Sequence, residues 1–214
     1  MSDRHSRLNA ARLYLVCDAQ SDDFLGAVLG AGVDIVQLRM KDADDDAIVA
    51  AGQRVARAAA RSGALFILND RPDLVAAVGA DGVHVGQDDV AVEDARAIVG
   101  PDRVLGLSTH SPRQIDAAAG ADVDYIGVGP VHATPTKPGR PAVGLELVRY
   151  AVEHATVPFF AIGGISPANV GAVHEAGAQR IAVVRALTDA ADPAQAARRL
   201  REGVSSTEVR LGAA

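Results

Sequence analysis

The segment Val157-Pro158-Phe159-Phe160-Ala161-Ile162-Gly163-Gly164-Ile165-Ser166-Pro167 contains an apolar run, a pair of glycines and a cap residue followed by proline. A short uncharged run of branched and aromatic residues is typical of a buried parallel strand. Ser166 followed by Pro167 at the first helical position predicts the start of a helix, and Ser111-Pro112 repeats this pattern. The segment therefore predicts a strand, a glycine turn and then a helix.

The same unit recurs along the whole chain. Apolar runs separated by alanine-rich stretches are found at Leu13–Cys17, Ile35–Leu38, Leu65–Leu68, Gly82–Val85, Val104–Leu107, Tyr125–Val128, Phe159–Ile162 and Ile181–Val184. Glycines that would close a helix before the next strand are Gly63, Gly79, Gly100, Gly120 and Gly177. Eight strand–helix units predict an α/β fold of the (β/α)₈ TIM-barrel type.

The predicted organisation is a single TIM-barrel domain over residues 1–214, with a core of about 12–203 and a flexible tail over 204–214. The alternative is a doubly wound open sheet, which is less favoured because no Gly-x-Gly-x-x-Gly turn follows the first strand. The longest connection, Gly129 to Val143, is rich in Pro and Thr and is expected on the catalytic face of a barrel.

The composition of the chain excludes some classes of partner and location. The chain has 214 residues, 49% of them hydrophobic, with a net charge of −6. This acidic balance argues against a nucleic-acid partner, which requires a basic face. Cys17 is the only cysteine and lies in an apolar strand, so we expect a buried structural thiol. With no signal-peptide core and no membrane-length run, we expect a soluble, cytoplasmic protein without a membrane partner; a homo-oligomer is compatible with the sequence.

Polar residues at the end of the second strand form the first candidate site. Gln37, Arg39 and Lys41 alternate with Leu38 and Met40, so the three polar side chains share one face of the chain. Two cations and an amide directed inward would be costly without an anionic or polar partner. The sequence therefore indicates an anion site, although acidic residues of neighbouring strands could also satisfy these groups.

Two carboxylates follow the next two strands. Asp70 ends the third strand and Asp89 follows the fourth, with Asp88 as a less favoured substitute. Mg²⁺ in proteins is commonly held by one or two carboxylates together with substrate phosphates and water. The pair predicts a magnesium site, while each residue alone could be a helix cap.

Other candidates lie at the remaining strand ends. Ser108 and Thr109 end the fifth strand and could contact a substrate or cap a helix, and His84 is either a structural residue or a substrate contact. Hydroxyl and ammonium groups suited to phosphate lie in the long connection at Thr134, Thr136 and Lys137. The glycine pair Gly163-Gly164 offers bare backbone at a position where barrels commonly bind phosphate. The sequence thus predicts two anion-binding regions across one barrel mouth.

These segments, in this order, resemble the thiamine phosphate synthase (thiamine-phosphate pyrophosphorylase) family. The resemblance runs from about Leu13 to Leu187, and the segments that carry it are Gln37 to Lys41, Asn69-Asp70, His84 to Asp89, Gly129-Pro130-Val131, Thr134 to Lys137 and Ala161 to Ile165. It implies a (β/α)₈ transferase with small-molecule substrates. The reaction joins the pyrimidine of hydroxymethylpyrimidine diphosphate to the nitrogen of a thiazole phosphate, giving thiamine phosphate and diphosphate.

The resemblance also implies residue roles. Gln37 would contact the pyrimidine, Asp70 and Asp89 would hold Mg²⁺, and Ser108 would lie near the reacting centre. Diphosphate would be bound by Arg39, Lys41, Asn69 and Lys137, and the residues with catalytic roles would be Arg39, Lys41, Ser108 and Lys137. The thiazole phosphate would be bound by Thr134, Thr136, Gly163, Gly164, Val184 and Arg185.

Two departures from the family pattern are visible. The chain reads Val183-Val184-Arg185 where many relatives have a serine, so a main-chain N–H would serve there and Arg185 would add charge. His132 stands where relatives often have an aromatic residue.

Two other functions are compatible with the barrel. A thiazole tautomerase of similar fold would need no pyrimidine diphosphate site, and a non-catalytic barrel that binds thiamine intermediates would need no paired carboxylates. The Gln37, Arg39 and Lys41 group together with Asp70 and Asp89 disfavours both.

Overall fold

Eight parallel strands form a closed barrel in the computed structural model, which describes residues 3–133 and 141–205. The strands are β1 (Leu13–Cys17), β2 (Ile35–Leu38), β3 (Leu65–Asn69), β4 (Gly82–Val85), β5 (Val104–Thr109), β6 (Tyr125–Val128), β7 (Phe159–Ile162) and β8 (Ile181–Val183). They follow one another in sequence order, and β8 pairs with β1 to close the sheet. The predicted (β/α)₈ barrel is confirmed, and the open-sheet alternative is wrong.

Helices surround the barrel: one precedes β1, and at least one follows each strand. They are α1 (Asp3–Ala10), α2 (Asp22–Gly30), α3 (Asp45–Ser62), α4 (Val75–Val78), α5 (Val92–Val99), α6 (Pro112–Ala118), α7 (Gly144–His154), α8 (Val170–Glu175), α9 (Arg185–Thr188) and α10 (Pro193–Ser205). A short 3₁₀ turn, Pro72–Leu74, precedes α4. None of the helices in the described ranges is both long and apolar enough to cross a membrane.

The capping predictions were confirmed in part. Ser111 caps α6 by accepting a hydrogen bond from the N–H of Gln114, with Pro112 at the first helical position. The predicted start at Ser166-Pro167 was wrong, because α8 begins at Val170. There the side chain of Asn169 accepts from the Ser166 N–H at 2.8 Å and donates to the Gly164 carbonyl at 2.9 Å. These bonds close a turn that precedes the helix.

Glycine ends the helices much as expected. Gly63, Gly79 and Gly100 are C-caps with positive φ, a conformation that glycine adopts at little cost. Gly120 and Gly177 lie one residue beyond the caps of α6 and α8.

Two hydrophobic layers stabilise the barrel. The outer layer lies between strands and helices and includes Cys17, whose buried thiol has a pKa raised to about 12, first by desolvation and then by the nearby carboxylate of Asp18. The inner layer fills the barrel and contains large side chains such as Tyr14, Tyr125 and Phe160. The thiol is therefore a packing group, as predicted from its apolar strand.

Helix α1 covers the amino-terminal end of the barrel. Its Leu8 is 1% exposed and belongs to the inner layer. Arg4 donates to Asp81 at 2.8 Å and His5 contacts Asp124 at 2.9 Å, and both aspartates immediately precede strands. The core therefore begins before residue 12, contrary to the sequence prediction. A short polar helix with few apolar residues has too weak a periodicity to be recognised.

The carboxyl-terminal boundary also differs from the prediction. Helix α10 continues to Ser205, and Val204 is 3% exposed in the outer layer, so residues 204 and 205 are part of the domain. Arg201 of the same helix donates to Asp34 at 2.6 Å and so joins the last helix to the start of β2. The rest of the predicted tail, 206–214, lies outside the described residues.

Candidate active site

A cavity of about 380 Å³ opens at the carboxyl ends of the strands, and all eight strands contribute to its wall. The predicted residues that line it are Gln37, Arg39, Lys41, Asn69, Asp70, Asp89, Ser108, Gly163, Gly164, Val184 and Arg185. Thr134, Thr136 and Lys137 lie outside the described residues. The strand ends thus bring together predicted residues as far apart in the sequence as Gln37 and Arg185.

The alternation of polar and apolar residues along β2 and beyond its end places the polar side chains in the cavity. Gln37, Arg39 and Lys41 line the cavity, whereas Leu38 is 1% exposed and Met40 packs against the outer layer. The backbone stays extended past the strand because the Arg39 N–H donates to the Cys17 carbonyl of β1 at 2.8 Å. The predicted split between the two faces is therefore confirmed.

Lys41 lies between the two acidic residues. Its Nζ is 3.1 Å from Oδ2 of Asp70 and 3.8 Å from Oδ1 of Asp89. Opposite charges at these separations stabilise one another, although all three side chains are partly exposed and solvent weakens the attraction. The two carboxylates therefore face one shared point, as the sequence predicted.

Both aspartates are held by local bonds. Asp70 has a φ of 58°, which an L-residue adopts rarely. Its N–H donates to the His84 carbonyl at 2.9 Å, and its Oδ2 accepts from the Asn69 amide at 2.6 Å. Oδ2 of Asp89 accepts from the Gly86 N–H at 3.1 Å. Both carboxylates are therefore oriented by neighbouring groups of β3 and β4.

Neither aspartate is a helix cap. The cap residues of the following elements are Arg71 for the 3₁₀ turn and Ala91 for α5. The alternative role that the sequence left open for Asp70 and Asp89 is therefore wrong.

The carboxylate pair has the donor chemistry for a hard cation. Within residues 3–133 and 141–205, no group of three or more His, Cys, Asp or Glu side chains is arranged to hold a metal. Two carboxylates are nevertheless what Mg²⁺ uses when substrate phosphates and water supply the remaining oxygens. Asp70 and Asp89 fit that requirement because both reach the same ammonium group.

A chain of buried hydrogen bonds crosses the cavity floor. The Gln37 amide donates to the Tyr14 hydroxyl at 2.6 Å, and the Tyr14 and Tyr125 hydroxyls are 2.8 Å apart. The Tyr125 hydroxyl is 3.0 Å from Nδ1 of His84, and Nε2 of His84 is 2.9 Å from Oγ of Ser108. We call these five residues the floor relay. It joins Gln37 and Ser108, which the sequence predicted as substrate contacts, through Tyr14 and Tyr125, which it did not identify, and through His84, which it gave as a structural residue or a substrate contact.

Burial keeps the phenols of the floor relay protonated. Desolvation, the largest effect, raises the pKa of both Tyr14 and Tyr125 well above the ordinary phenol value. The two rings also pack against Phe160 in edge-to-face contacts, with centroids 5.2 and 5.6 Å from it. The two phenols are therefore neutral and closely packed against Phe160.

Gly106 makes room for this layer. A Cβ atom on Gly106 would lie 2.1 Å from Cζ of Tyr125, a separation that non-bonded atoms do not tolerate. The missing side chain on β5 is thus what allows the Tyr125 ring to reach both Tyr14 and His84.

The glycine pair after β7 has a packing role as well. Gly163 and Gly164 have φ of 107° and 63°, and added Cβ atoms would come within 2.5 Å of Pro130 and 2.7 Å of His132. His132 also donates its N–H to the Gly163 carbonyl at 3.0 Å. Residues 130–133, at the start of the connection after β6, therefore lie directly on the glycine turn, which leaves backbone on the cavity wall.

Several cavity residues were not identified from the sequence. Tyr14, Tyr125 and Phe160 occur in apolar strand segments, where aromatic residues are usually core, and no local pattern marks them as lining a site. His110 and Asp189 also line the cavity. Asp189 lies at the end of α9 beside Arg185, a position that could be recognised only once the eighth strand end was known to form the wall.

Comparisons with known proteins point to one family. The sequence model of the family described as "Thiamine monophosphate synthase" matches residues 13–187. The chain is 53% identical over 194 residues to a thiamine-phosphate synthase of Acidothermus cellulolyticus, covering 87% of this chain and 92% of that protein. It is 50% identical over 193 residues to a longer thiamine-phosphate synthase of Gloeobacter violaceus, covering 89% of this chain and 57% of that protein.

A solved structure has the same architecture. The thiamine phosphate pyrophosphorylase of Pyrococcus furiosus superposes with a TM-score of 0.85 at 32% identity, covering 94% of this chain and 98% of that one.

Proposed function

The chain belongs to the thiamine monophosphate synthase family and is a transferase, and from that premise we propose that it transfers the hydroxymethylpyrimidine group from its diphosphate to the nitrogen of a thiazole phosphate in a Mg²⁺-dependent, dissociative reaction. The observation that supports this most directly is the shared cavity. Its wall carries a cluster of cationic and acidic side chains at β2 to β4, and a backbone-rich region with Arg185 at β7 and β8.

The cluster at β2 to β4 suits a diphosphate leaving group. Arg39, Lys41 and Asn69 all lie on the cavity wall. As the carbon–oxygen bond of the pyrimidine methylene breaks, its electron pair passes to the departing diphosphate. Fixed cations stabilise that developing negative charge better than they stabilise the ground state.

The carbocation is then captured by the thiazole. Its ring nitrogen supplies the electron pair of the new carbon–nitrogen bond, so no side-chain nucleophile or strong base is required. The role of the barrel is to hold both partners at reacting distance, which converts a bimolecular encounter into an effectively unimolecular step. Gln37 and Ser108 at the floor would hold the pyrimidine, and Gly164 and Arg185 at the rim would hold the thiazole phosphate.

Asp70 and Asp89 would hold the magnesium ion. When bound, Mg²⁺ neutralises charge on the diphosphate oxygens. The two carboxylates already converge on the Lys41 ammonium, so both are oriented toward the place where a divalent cation would meet the diphosphate.

The decisive experiment combines the purified protein with hydroxymethylpyrimidine diphosphate, thiazole phosphate and Mg²⁺. Thiamine phosphate detected by mass spectrometry, with one equivalent of diphosphate, is the expected result. A control without the metal should give far less product. Rearrangement of a thiazole phosphate without any pyrimidine would support the tautomerase alternative, and binding without turnover would support a non-catalytic barrel.

Lys137 offers a second test of the assignment. We expect Lys137→Ala to slow turnover because the ammonium would assist diphosphate departure. Unchanged steady-state kinetics would remove this residue from the proposed machinery.

A further inference from the structure

In the floor relay, the choice of donor and acceptor in one hydrogen bond determines the donor and acceptor of the next. Each hydroxyl has a single proton, and a neutral imidazole donates from one nitrogen and accepts at the other. Since the Gln37 amide donates to Tyr14, the Tyr14 proton is directed at Tyr125 and the Tyr125 proton at Nδ1 of His84. His84 then carries its proton on Nε2 and donates to Ser108. The Ser108 proton is left for the cavity.

A second arrangement of the floor relay exchanges the donor and the acceptor in every hydrogen bond. If the Gln37 carboxamide oxygen faced Tyr14, then Tyr14, Tyr125 and His84 would all donate in the opposite direction, and Ser108 would donate to His84. The Gln37 NH₂ group would then face the cavity and Ser108 would act as an acceptor there. Intermediate states leave two donors or two acceptors in contact in a buried layer, which is costly. The relay therefore has two states and both of its ends change together.

We infer that the floor relay is a specificity device, in which Tyr14, Tyr125 and His84 are positioning residues that require the bound ring to offer one donor and one acceptor. In the arrangement of this structure, Gln37 presents an acceptor and Ser108 presents a donor. Given the proposed function, on which this part of the inference rests, the ligand is an aminopyrimidine. Its exocyclic amine donates and its adjacent ring nitrogen accepts.

The two tyrosines of the floor relay are buried. Tyr14 is 2% and Tyr125 is 0% exposed, so water cannot replace a missing bond between them. The Gln87 side chain donates to the Ser108 carbonyl at 2.7 Å and so fixes the backbone at one end. A glutamine on its own can rotate to suit either an amino or an oxo group, whereas a glutamine bonded to the relay rotates only if four other residues change with it.

The first test determines which ring nitrogen of His84 carries the proton in the free protein, without any substrate. With ¹⁵N-labelled histidine, above the ordinary histidine pKa of about 6.5, we expect His84 to carry its proton on Nε2. In Gln37→Glu the carboxylate can only accept, so Tyr14 must donate to it and the His84 proton should move to Nδ1. The His84 signals are identified by their loss in His84→Gln.

A double variant distinguishes an effect carried by the relay from an effect of the added negative charge. In Gln37→Glu combined with Tyr125→Phe, the relay is broken while the added charge remains. We expect His84 to show no switch there, and none in the exposed control Gln53→Glu. The inference is overturned if Gln37→Glu leaves the His84 tautomer unchanged, or if the switch persists after Tyr125→Phe.

The ligand test compares an amino with an oxo ring. Binding of 4-aminopyrimidine and 4-oxopyrimidine forms of the hydroxymethyl compound is measured by calorimetry. The wild-type protein is expected to prefer the amino form by roughly 10- to 100-fold, and Tyr125→Phe should reduce this preference to a few-fold. Equal preference in both proteins overturns the specificity role. If neither ring binds but the tautomer switch is observed, the proposed function fails while the relay stands.

Discussion

The Nζ atom of Lys41 lies 3.1 Å from Oδ2 of Asp70 and within 4 Å of Asp89. An ammonium group thus lies at the point on which two proposed magnesium ligands converge. Because the three charged groups share one small region, we expect removal of the Lys41 ammonium to strengthen metal binding and to slow turnover.

We predict that Lys41→Gln binds Mg²⁺ several-fold more tightly in the absence of substrate, because the carboxylates lose a competing cation. Turnover should fall at the same time, since one positive group facing the diphosphate is removed. Calorimetric titration with Mg²⁺ and steady-state kinetics measure the two effects. Arg39→Gln is the control: it should also slow turnover but tighten metal binding less. Unchanged metal affinity in Lys41→Gln would contradict the arrangement.

Asp70→Asn and Asp89→Asn should each reduce Mg²⁺-dependent turnover by at least about tenfold, because a neutral amide holds a divalent cation poorly. Asp88→Asn makes the same charge change one residue away, at a side chain outside the cavity wall, and should retain most of the activity. Circular dichroism would establish that all three variants remain folded. Equal activity in the three variants would rule out the proposed ligand pair.

Alkaline pH should destabilise the fold through its buried phenols. The pKa of Tyr14 and Tyr125 is raised in the folded protein, chiefly by desolvation, while an unfolded phenol ionises near about 10. Above that pH the unfolded state releases protons that the folded state keeps, so the free energy of unfolding decreases as pH rises and is unaffected below it. Tyrosinate absorbance should therefore appear together with loss of circular dichroism.

The third tyrosine provides an internal comparison. The pKa of Tyr150 is also raised, by its hydrogen bond to Asp116, but this phenol lies on the surface. Its ionisation can precede unfolding, so Tyr150→Phe should remove any early part of the absorbance change and leave the cooperative part. If Tyr14 and Tyr125 ionised in the folded protein near pH 10, the stated burial effect would be wrong.

Gly106→Ala should displace the Tyr125 ring, because its Cβ would lie 2.1 Å from Cζ. Overpacking of this kind typically costs about 1–3 kcal/mol of unfolding free energy. It should also alter the His84 ¹⁵N signals, since the Tyr125 hydroxyl can no longer reach the imidazole. Gly127→Ala on the next strand is the matched control: its Cβ would be 3.6 Å from the His84 ring, an ordinary contact. Similar denaturation midpoints for the two variants would count against the packing argument.

The sequence predicted the strands well because parallel strands buried on both faces are continuous apolar runs, a pattern that survives without tertiary information. The observed bounds differ from the predicted ones by at most two residues, as in β5, which continues to Thr109. Charged residues within a few positions of the ends of such runs, including Asp70 and Asp89, were recognisable because a barrel brings its strand ends to one rim.

Other features depend on contacts that no local pattern encodes. Tyr14 and Tyr125 are 111 residues apart and meet only because the barrel closes, so their strands gave no sign of a polar function. The start of α8 was misplaced because the Asn169 side chain bonds the Ser166 N–H and the Gly164 carbonyl, which closes a turn before the helix. The cover formed by α1 was missed because Arg4 and His5 of this helix bond to Asp81 and Asp124, which lie far along the chain.

That cover has a consequence for turnover. With Leu8 of α1 buried in the inner layer, the amino-terminal end of the described part of the barrel is filled by packed side chains. A molecule in the cavity at the opposite end meets no channel through the described core, so under the proposed reaction substrates would enter and products would leave by the same face. Products would then compete with incoming substrates, and product inhibition is the expected outcome.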